Sequence, residues 1–378
     1  MRMTSIEFVH PESHLWQKCL AEMPHDFYHT PGYLRLCAKC EGGSAQAFVA
    51  SDGEQRLFVP LVVRPIELEG TAGDMLYDAT SPYGYPSPLL AGGESQEKRT
   101  AFLDRALELL LATLRECRVV SLYLRLHPLL PLPREPFCRQ GTLVRHGETV
   151  FVDLTQSEQE WWHQTRAQHR NHINRAIRLG YVAEMDQNWN RLDQFFEIYT
   201  ETMRRVNANS EYFFSREYFH QLRDALGDRL HLGTVRIGDT LVCGGLFSEV
   251  CGIVQFHLGG RREETTTPAP MKLLIHFARC WAKERGNRVF HLGGGLGAQR
   301  DSLFFFKSGF SKVCGEFLTW RAVLDPDAYQ ALVTKQFSMA GSQDTSVDDF
   351  FPAYRRLLRS RGGEKPRGDG TEVMSCTH

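Results

Sequence analysis

The stretch FHLGGGLGAQRDSLFFFKSGF, residues 290–310, restricts the folds open to this chain more than any other segment. It joins the end of an apolar strand, 289–292, to glycines at 293, 294, 295 and 297. Glycine there frees the backbone for positive φ and for close approach to a ligand. Asp301 is placed to cap a short helix. Lys307 follows Phe304, Phe305 and Phe306 and precedes Ser308 and Gly309, which sets its ammonium against apolar walls. A buried ammonium is costly without an anionic partner, so the segment is expected to border a catalytic cleft.

A chain of 378 residues has room for two domains with cores of their own. Hydrophobic residues make up 42%, charged residues 24%, and the formal net charge is -1. Nucleic-acid binding would therefore need a local basic patch. The opening MRMTSIEFVHPESH has no apolar signal-type region, and no later run approaches the roughly 18 to 20 apolar residues of a membrane span, which implies a cytoplasmic protein. The ten cysteines have no regular spacing. Cys37 and Cys40 form a C-x-x-C pair with no second pair at zinc-ribbon distance, so they read as helix cysteines and no metal site is expected.

Helical and extended patterns alternate up to about residue 150. Helices are expected over 15–23 and 33–40, and paired strands over 45–50 and 56–63 around an Asp52-Gly53 turn. The segment DATSPYGYPSP, 78–88, reads as a proline-held loop. Phe102, Leu103, Ala106, Leu110 and Leu114 recur at helical spacing before the strands VVSLYLRL and TVFVDL. In the second half, Thr155-x-x-Glu158 matches a capping box opening a basic helix that runs to Leu179. An aromatic helix at 192–203 and a helix capped by Ser215 follow. Then come strands near 229–236, 240–249 and 252–258, a helix over 270–285, the strand 288–292 and a final strand at 313–322. The expected organisation is one domain at 1–150, a second at 151–335 and an extension at 336–378 that is disordered after about 360. The shared element order of the halves suggests a duplicated domain.

Three antiparallel strands, a helix, a parallel neighbour strand, a short helix and a last strand resemble the acyltransferase fold of the GNAT superfamily. Four segments resemble, more narrowly, the Fem-type (FemABX-like) transferases: SPYGYP at 81–86, RAQHRNHINRAIRLGY at 166–181, the glycine hinge at 293–297 and LFFFKSGF at 303–310. The resemblance implies an α/β (mixed α+β) fold of tandem GNAT-like domains, each a mixed, mostly antiparallel sheet flanked by helices. It also implies transfer of an acyl or aminoacyl group to an amine, with no metal and no bound cofactor. The donor would be aminoacyl-tRNA or, alternatively, an acyl-CoA, and the acceptor a small-molecule or peptide amine. His291 stands where the family often has Asp.

Within that fold the strands ending QFHLGG and FHLGG would be parallel neighbours, bringing His257 and His291 to one cleft. Each is either a general base for the attacking amine or a hydrogen-bonded strand histidine. By its match to the family's motif, Lys307 would stabilise an oxyanion or a substrate phosphate; otherwise it is a lysine closing a helix. Arg166 and Arg170 share a helix face with Ile173 and Ile177, and no acidic residue occurs from Trp161 to Gly180. The pair suits an anionic ligand, a nucleotide diphosphate or a tRNA phosphate, while Arg175 and Arg178 read as solvated or as part of the same patch. Tyr83 and Tyr85 would stack on a substrate ring or pack as core tyrosines. Gly293, Gly294, Gly295 and Asp301 complete the candidate substrate-binding set.

Two rival functions also fit parts of the chain. Gly293-x-Gly295-x-x-Ala298 matches a dinucleotide-binding fingerprint, but no series of βαβ units surrounds it. A binding or scaffold protein with a decayed transferase site is the other. For acyl-CoA, the loop GGRREETTTPAPMK carries its glycines early and two prolines near the helix start, which removes donors for a pyrophosphate. Aminoacyl-tRNA is therefore the leading donor.

Overall fold

The computed structural model describes residues 5–67, 75–263, 269–340 and 350–358. The chain begins β1 (Ser5–Val9), α1 (His14–Glu22), α2 (Pro31–Cys40), β2 (Ser44–Ser51), β3 (Arg56–Pro65), β4 (Tyr77–Thr80), β5 (Leu89–Ala91), α3 (Gln96–Glu116), β6 (Val119–Arg125), α4 (Glu135–Gln140) and β7 (Thr142–Asp153). It continues α5 (Glu158–Gln164), α6 (Ala167–Arg178), β8 (Tyr181–Met185), α7 (Leu192–Arg205), α8 (Arg216–Leu226), β9 (Leu230–Ile237), β10 (Thr240–Val250) and β11 (Ile253–Arg261). The last elements are α9 (Pro270–Glu284), β12 (Val289–Gly293), α10 (Ser302–Lys307), β13 (Cys314–Val323), α11 (Pro326–Ala340) and α12 (Arg355–Leu358). Among the described residues no helix is long and apolar enough to cross a membrane.

These residues form two compact units. The first holds residues up to 145 together with those from 318 onward, and the second holds 146–317. In the first, the strand order is β1-β2-β3-β4-β6-β13, antiparallel except for the parallel pair β4 and β6. In the second it is β8-β9-β10-β11-β12-β7, antiparallel except for the parallel pair β11 and β12. A parallel pair needs a long crossover, and α3 and α9 supply it in the two units. The units therefore repeat one plan: four antiparallel strands, a crossover helix, a parallel fifth strand and an antiparallel closing strand. The first unit is closed by β13, the last strand in the chain, and the second by β7, the strand that follows β6.

Each crossover helix exists because its apolar stripe has a sheet to cover. In the first unit α3 buries Phe102, Leu103, Ala106, Leu107, Leu110 and Leu114 against Phe48, Leu57, Val59, Leu122 and Leu124. Its start is fixed by Ser95, whose hydroxyl accepts from the Lys98 amide. In the second unit α9 opens with Pro270, whose missing N–H is harmless in a first turn. It buries Met271, Leu274, Ile275 and Ala278 against Val254, Phe256 and Phe290. The described part of the expected extension is tied to the first unit through Asp78, which accepts from Arg64 Nε and Arg355 Nε at 2.7 Å each. The segment after 360, expected to be disordered, lies outside the described residues.

Three local readings are corrected. The capping box is Ser157 with Glu160, because the Thr155 hydroxyl is drawn to Asp153 instead. The single basic helix is two, α5 and α6, broken where Thr165 and Arg166 both turn extended. Ile177, expected on a half-buried face with Ile173, is 54% exposed, and β8 stands where no strand was anticipated.

Candidate active site

The candidate site in the second unit begins where β11 and β12 part. Their parallel register pairs Ile253 with Val289, Val254 with Phe290 and Gln255 with His291, and goes no further. Across β11 from β10, Leu246 faces Leu258 and the next position, Phe247, faces Phe256, so His257 is the extra residue of a β-bulge. A bulge re-aims its strand, which accounts for the short pairing. The two strands are parallel neighbours as expected, and their register sets Gln255, not His257, level with His291.

His291 is fully buried, and its Nδ1–H donates to Gln255 Oε1. The Gln255 amide is held in turn by donating 3.1 Å to Phe256 O. That bond sets the orientation of the imidazole ring and places a proton on Nδ1. His257 is partly buried at the bulge, and desolvation pushes its pKa down to about 4. Neutral at ordinary pH, it carries no charge to steer an anion.

The chain leaves β12 through Gly293 at φ +78° and turns at Gly297, φ +54°. Gly295 answers to contact instead: a Cβ there would overlap the Gln299 carbonyl oxygen and the Asp301 carboxylate. Asp301 staples this turn to the following helix. Its Oδ2 accepts from Leu296 N at 3.0 Å, and its Oδ1 accepts from Phe304 N at 2.8 Å, as the N-cap of α10. Leu303 and Phe304 enter the core while Phe305 stays 58% exposed. Lys307, at the end of α10, is only 3% exposed, and its Nζ donates 2.7 Å to the Gly294 carbonyl. The Lys307 side chain is thus fixed at the glycine turn by a backbone carbonyl.

Arg166 and Arg170 lie next to this turn, but their guanidinium groups serve helix ends. Arg166 Nη1 donates to Phe305 O at 3.0 Å, and its backbone N–H to Gly309 O at 2.8 Å. Arg170 Nη1 reaches the carbonyls of Trp162, His163 and Thr165 at the end of α5. Such carbonyls lack intrahelical donors and carry the negative end of the helix dipole. His169, buried among Phe306 and Phe310, bonds Phe306 O through Nε2, and desolvation lowers its pKa to about 4.

Tyr83 and Tyr85 belong to the first unit. Gly84 between them has φ +104° and rests on the Tyr28 ring, where a Cβ would clash. Tyr83 and Tyr85 remain partly exposed above buried Tyr28 and His127. The His127 ring donates from Nε2 to Asp26 Oδ2 at 3.1 Å, and its Nδ1 accepts from Leu129 N at 3.0 Å. Arg125 stacks on Tyr83 and Tyr123, with ring centroids 5.9 and 4.9 Å away.

Sequence reasoning missed Gln255, Lys272 and Arg279. Lys272, in the first turn of α9, lies 2.9 Å from His172 Nδ1, and burial, with Arg166 nearby, lowers its pKa. Arg279 is fully buried, donating to Thr165 Oγ1 and His276 Nδ1, and desolvation brings its pKa to about 10. Among these, Gln255 had a usable signal: a polar side chain in an otherwise apolar strand.

Residues 163–301 match the family model described as an acetyltransferase (GNAT) domain. No curated protein matches the chain in sequence. Among solved structures the chain is similar to FemX, with a TM-score of 0.64 at 13% identity over 86% of this chain and 99% of that one. It is also similar to L-PGS from Bacillus licheniformis, TM-score 0.52 at 17% identity over 82% and 92% of the two chains. A third likeness is to the C-terminal domain of a putative lysylphosphatidylglycerol synthetase from Agrobacterium fabrum, TM-score 0.51 at 14% identity over 81% and 90%. Residues 163–301 are therefore an acyltransferase domain of the GNAT type, in a chain whose fold is similar to that of FemX.

Proposed function

We propose that this transferase moves an aminoacyl group from aminoacyl-tRNA to an amine acceptor, forming an amide. The observation that carries the reading is Lys307: an ammonium almost removed from solvent and pinned 2.7 Å from Gly294 O at the turn leaving β12. Attack of the acceptor nitrogen on the ester carbonyl forms the C–N bond and puts negative charge on the carbonyl oxygen. A fixed cation in a dry setting stabilises that charge far more than one in water. As the C–O bond to the ribose breaks, the nitrogen loses a proton and the ribose oxygen gains one. His291, held in orientation by Gln255, is the candidate base for this step. His257, Arg166, Arg170, Gly293, Gly295 and Asp301 would orient substrates or hold the turn in shape.

The fold likeness to a protein named putative lysylphosphatidylglycerol synthetase supports an aminoacyl group as the moiety transferred. The acetyltransferase description of the matched domain favours a second reading, N-acyl transfer from an acyl-CoA. In neither reading do the described residues group His, Cys, Asp or Glu for a metal ion. Incubation with charged tRNA pools and, separately, with acyl-CoA pools decides between the donors. Amide formation abolished by ribonuclease is expected; turnover of a thioester that ribonuclease leaves intact overturns the tRNA reading.

A further inference from the structure

α6 presents a face that serves neither the core nor the helix ends. At 100° per residue, Asn174, Arg178, Asn171, Arg175 and Gln168 fall within an arc of about 120°. All five are exposed. Opposite them, His169, Ile173 and Ala176 are buried, which fixes the orientation of the helix. Among the described residues Arg175 makes no hydrogen bond or ion pair, and Arg178 makes only the bond from Nε to Asn174 O at 3.4 Å.

The surroundings are equally free of negative charge. No Asp or Glu occurs between Glu160 and Glu184. Glu184, on the adjoining β8, is already engaged by Arg236 at 3.1 Å. On α9, which packs against α6, the acidic residue is Glu284 at its last position. Arg166 and the Lys272–His172 pair extend the positive field along the inner flank of α6. Among the described residues no carboxylate pairs with Arg175 or Arg178, while amide groups able to bond sugar hydroxyls stand between the arginines.

We infer that this face of α6 binds the phosphate backbone of the RNA donor, with Arg175 and Arg178 on phosphates and Gln168, Asn171 and Asn174 on riboses. The inference rests on the aminoacyl-tRNA reading of the donor. The first turn of α6 is clasped to the end of α10 through Arg166 and His169, one turn from Lys307. From there α6 runs for about 18 Å, roughly the length of five phosphate spacings along one strand. A lipid surface fits less well. An interfacial helix needs apolar side chains at the centre of its outer face, and here Ile177 and Leu179 lie at the margins.

The test is binding of deacylated bulk tRNA to the full chain, measured by filter retention across a salt series. The Arg175→Gln/Arg178→Gln pair is expected to lower the slope of log affinity against log salt by about 1.4 to 1.8, the loss of two phosphate contacts. Arg175→Glu/Arg178→Glu should weaken binding by at least about tenfold near 0.1 M salt. Arg229→Glu, a charge change equal to that of the Gln pair at another exposed site of the same unit, should leave both unchanged. Unaltered affinity and slope in the α6 variants, with their circular dichroism intact, overturn the assignment. So does loss of binding to phosphatidylglycerol vesicles without loss of tRNA, which gives the face to lipid. Binding through this face alongside turnover of thioesters alone sinks the donor reading and leaves the surface standing; no tRNA binding at all sinks both.

Discussion

Lys307 carries two duties that a single substitution would confuse. It donates to Gly294 O and so holds the glycine turn, and it supplies the charge on which the proposed chemistry depends. Lys307→Met keeps the length and apolar packing of the side chain and removes only the charge and its donors. The expected outcome is a fall in kcat of about 10²- to 10³-fold, the size of effect seen when one oxyanion donor is lost, with little change in KM. A kcat within about twofold of the parent enzyme would remove Lys307 from the chemistry. Much of this site was legible in the sequence, because three adjacent phenylalanines beside a lysine leave few places for its stem except among apolar neighbours. What could not be read was its partner. The Gly294 carbonyl is thirteen residues away in sequence, and no pattern of residue types marks one backbone oxygen over another. The carbonyl partners of Arg166 and Arg170 were hidden for a related reason: a guanidinium that serves helix carbonyls has the same sequence signature as one that waits for a phosphate.

At the scale of elements, the turn between β12 and α10 depends on glycine at 295 for space rather than for its dihedral angles. Its φ is -81°, which any residue adopts, yet a Cβ would meet Gln299 O and the Asp301 carboxylate. Gly295→Ala is therefore expected to cost about 1 to 3 kcal/mol, as overpacking does. It should also loosen Asp301 from Leu296 N, and so cut activity beyond what the stability loss explains. Urea denaturation together with kcat measured well below the unfolding transition separates the two. Full activity with unchanged stability would show that the turn relaxes freely. The glycine hinge, the Asp301 cap and the helix after it were visible as local patterns. The bulge at His257 was not, since it is set by the pairing of β11 with β10, and a one-residue slip there decides which side chain meets His291. The same applies to the break between α5 and α6, where the apolar and basic periodicity runs on through a bend at Thr165.

Across the molecule, the duplicated plan was suggested by element order, whereas the assignment of closing strands was not. TVFVDL and the strand ending at Val323 are both short apolar alternations, and nothing within either says which sheet it will join. Burial of histidine makes a consequence of the duplicated architecture measurable. In the second unit, His169, His257 and His276 each have a pKa pushed down by burial from 6.5 to about 4, and in the first unit His29 is shifted likewise. In the unfolded chain each would take up a proton near 6.5, while the folded form resists until about pH 4. Unfolding therefore binds protons in that window. The stability from these four groups is fully present above about pH 6.5, falls as pH drops towards 4, and levels off below. With three such groups against one, the second unit should lose protection at a higher pH than the first. Hydrogen exchange followed by mass spectrometry from pH 7 to pH 4, corrected for the intrinsic exchange rate, reads the two units separately. Peptides from β11, α6 and α9 are expected to open before those from β2, β3 and α3. Opening in the reverse order, or a stability flat across the window, would show that these imidazoles take up protons in the folded state.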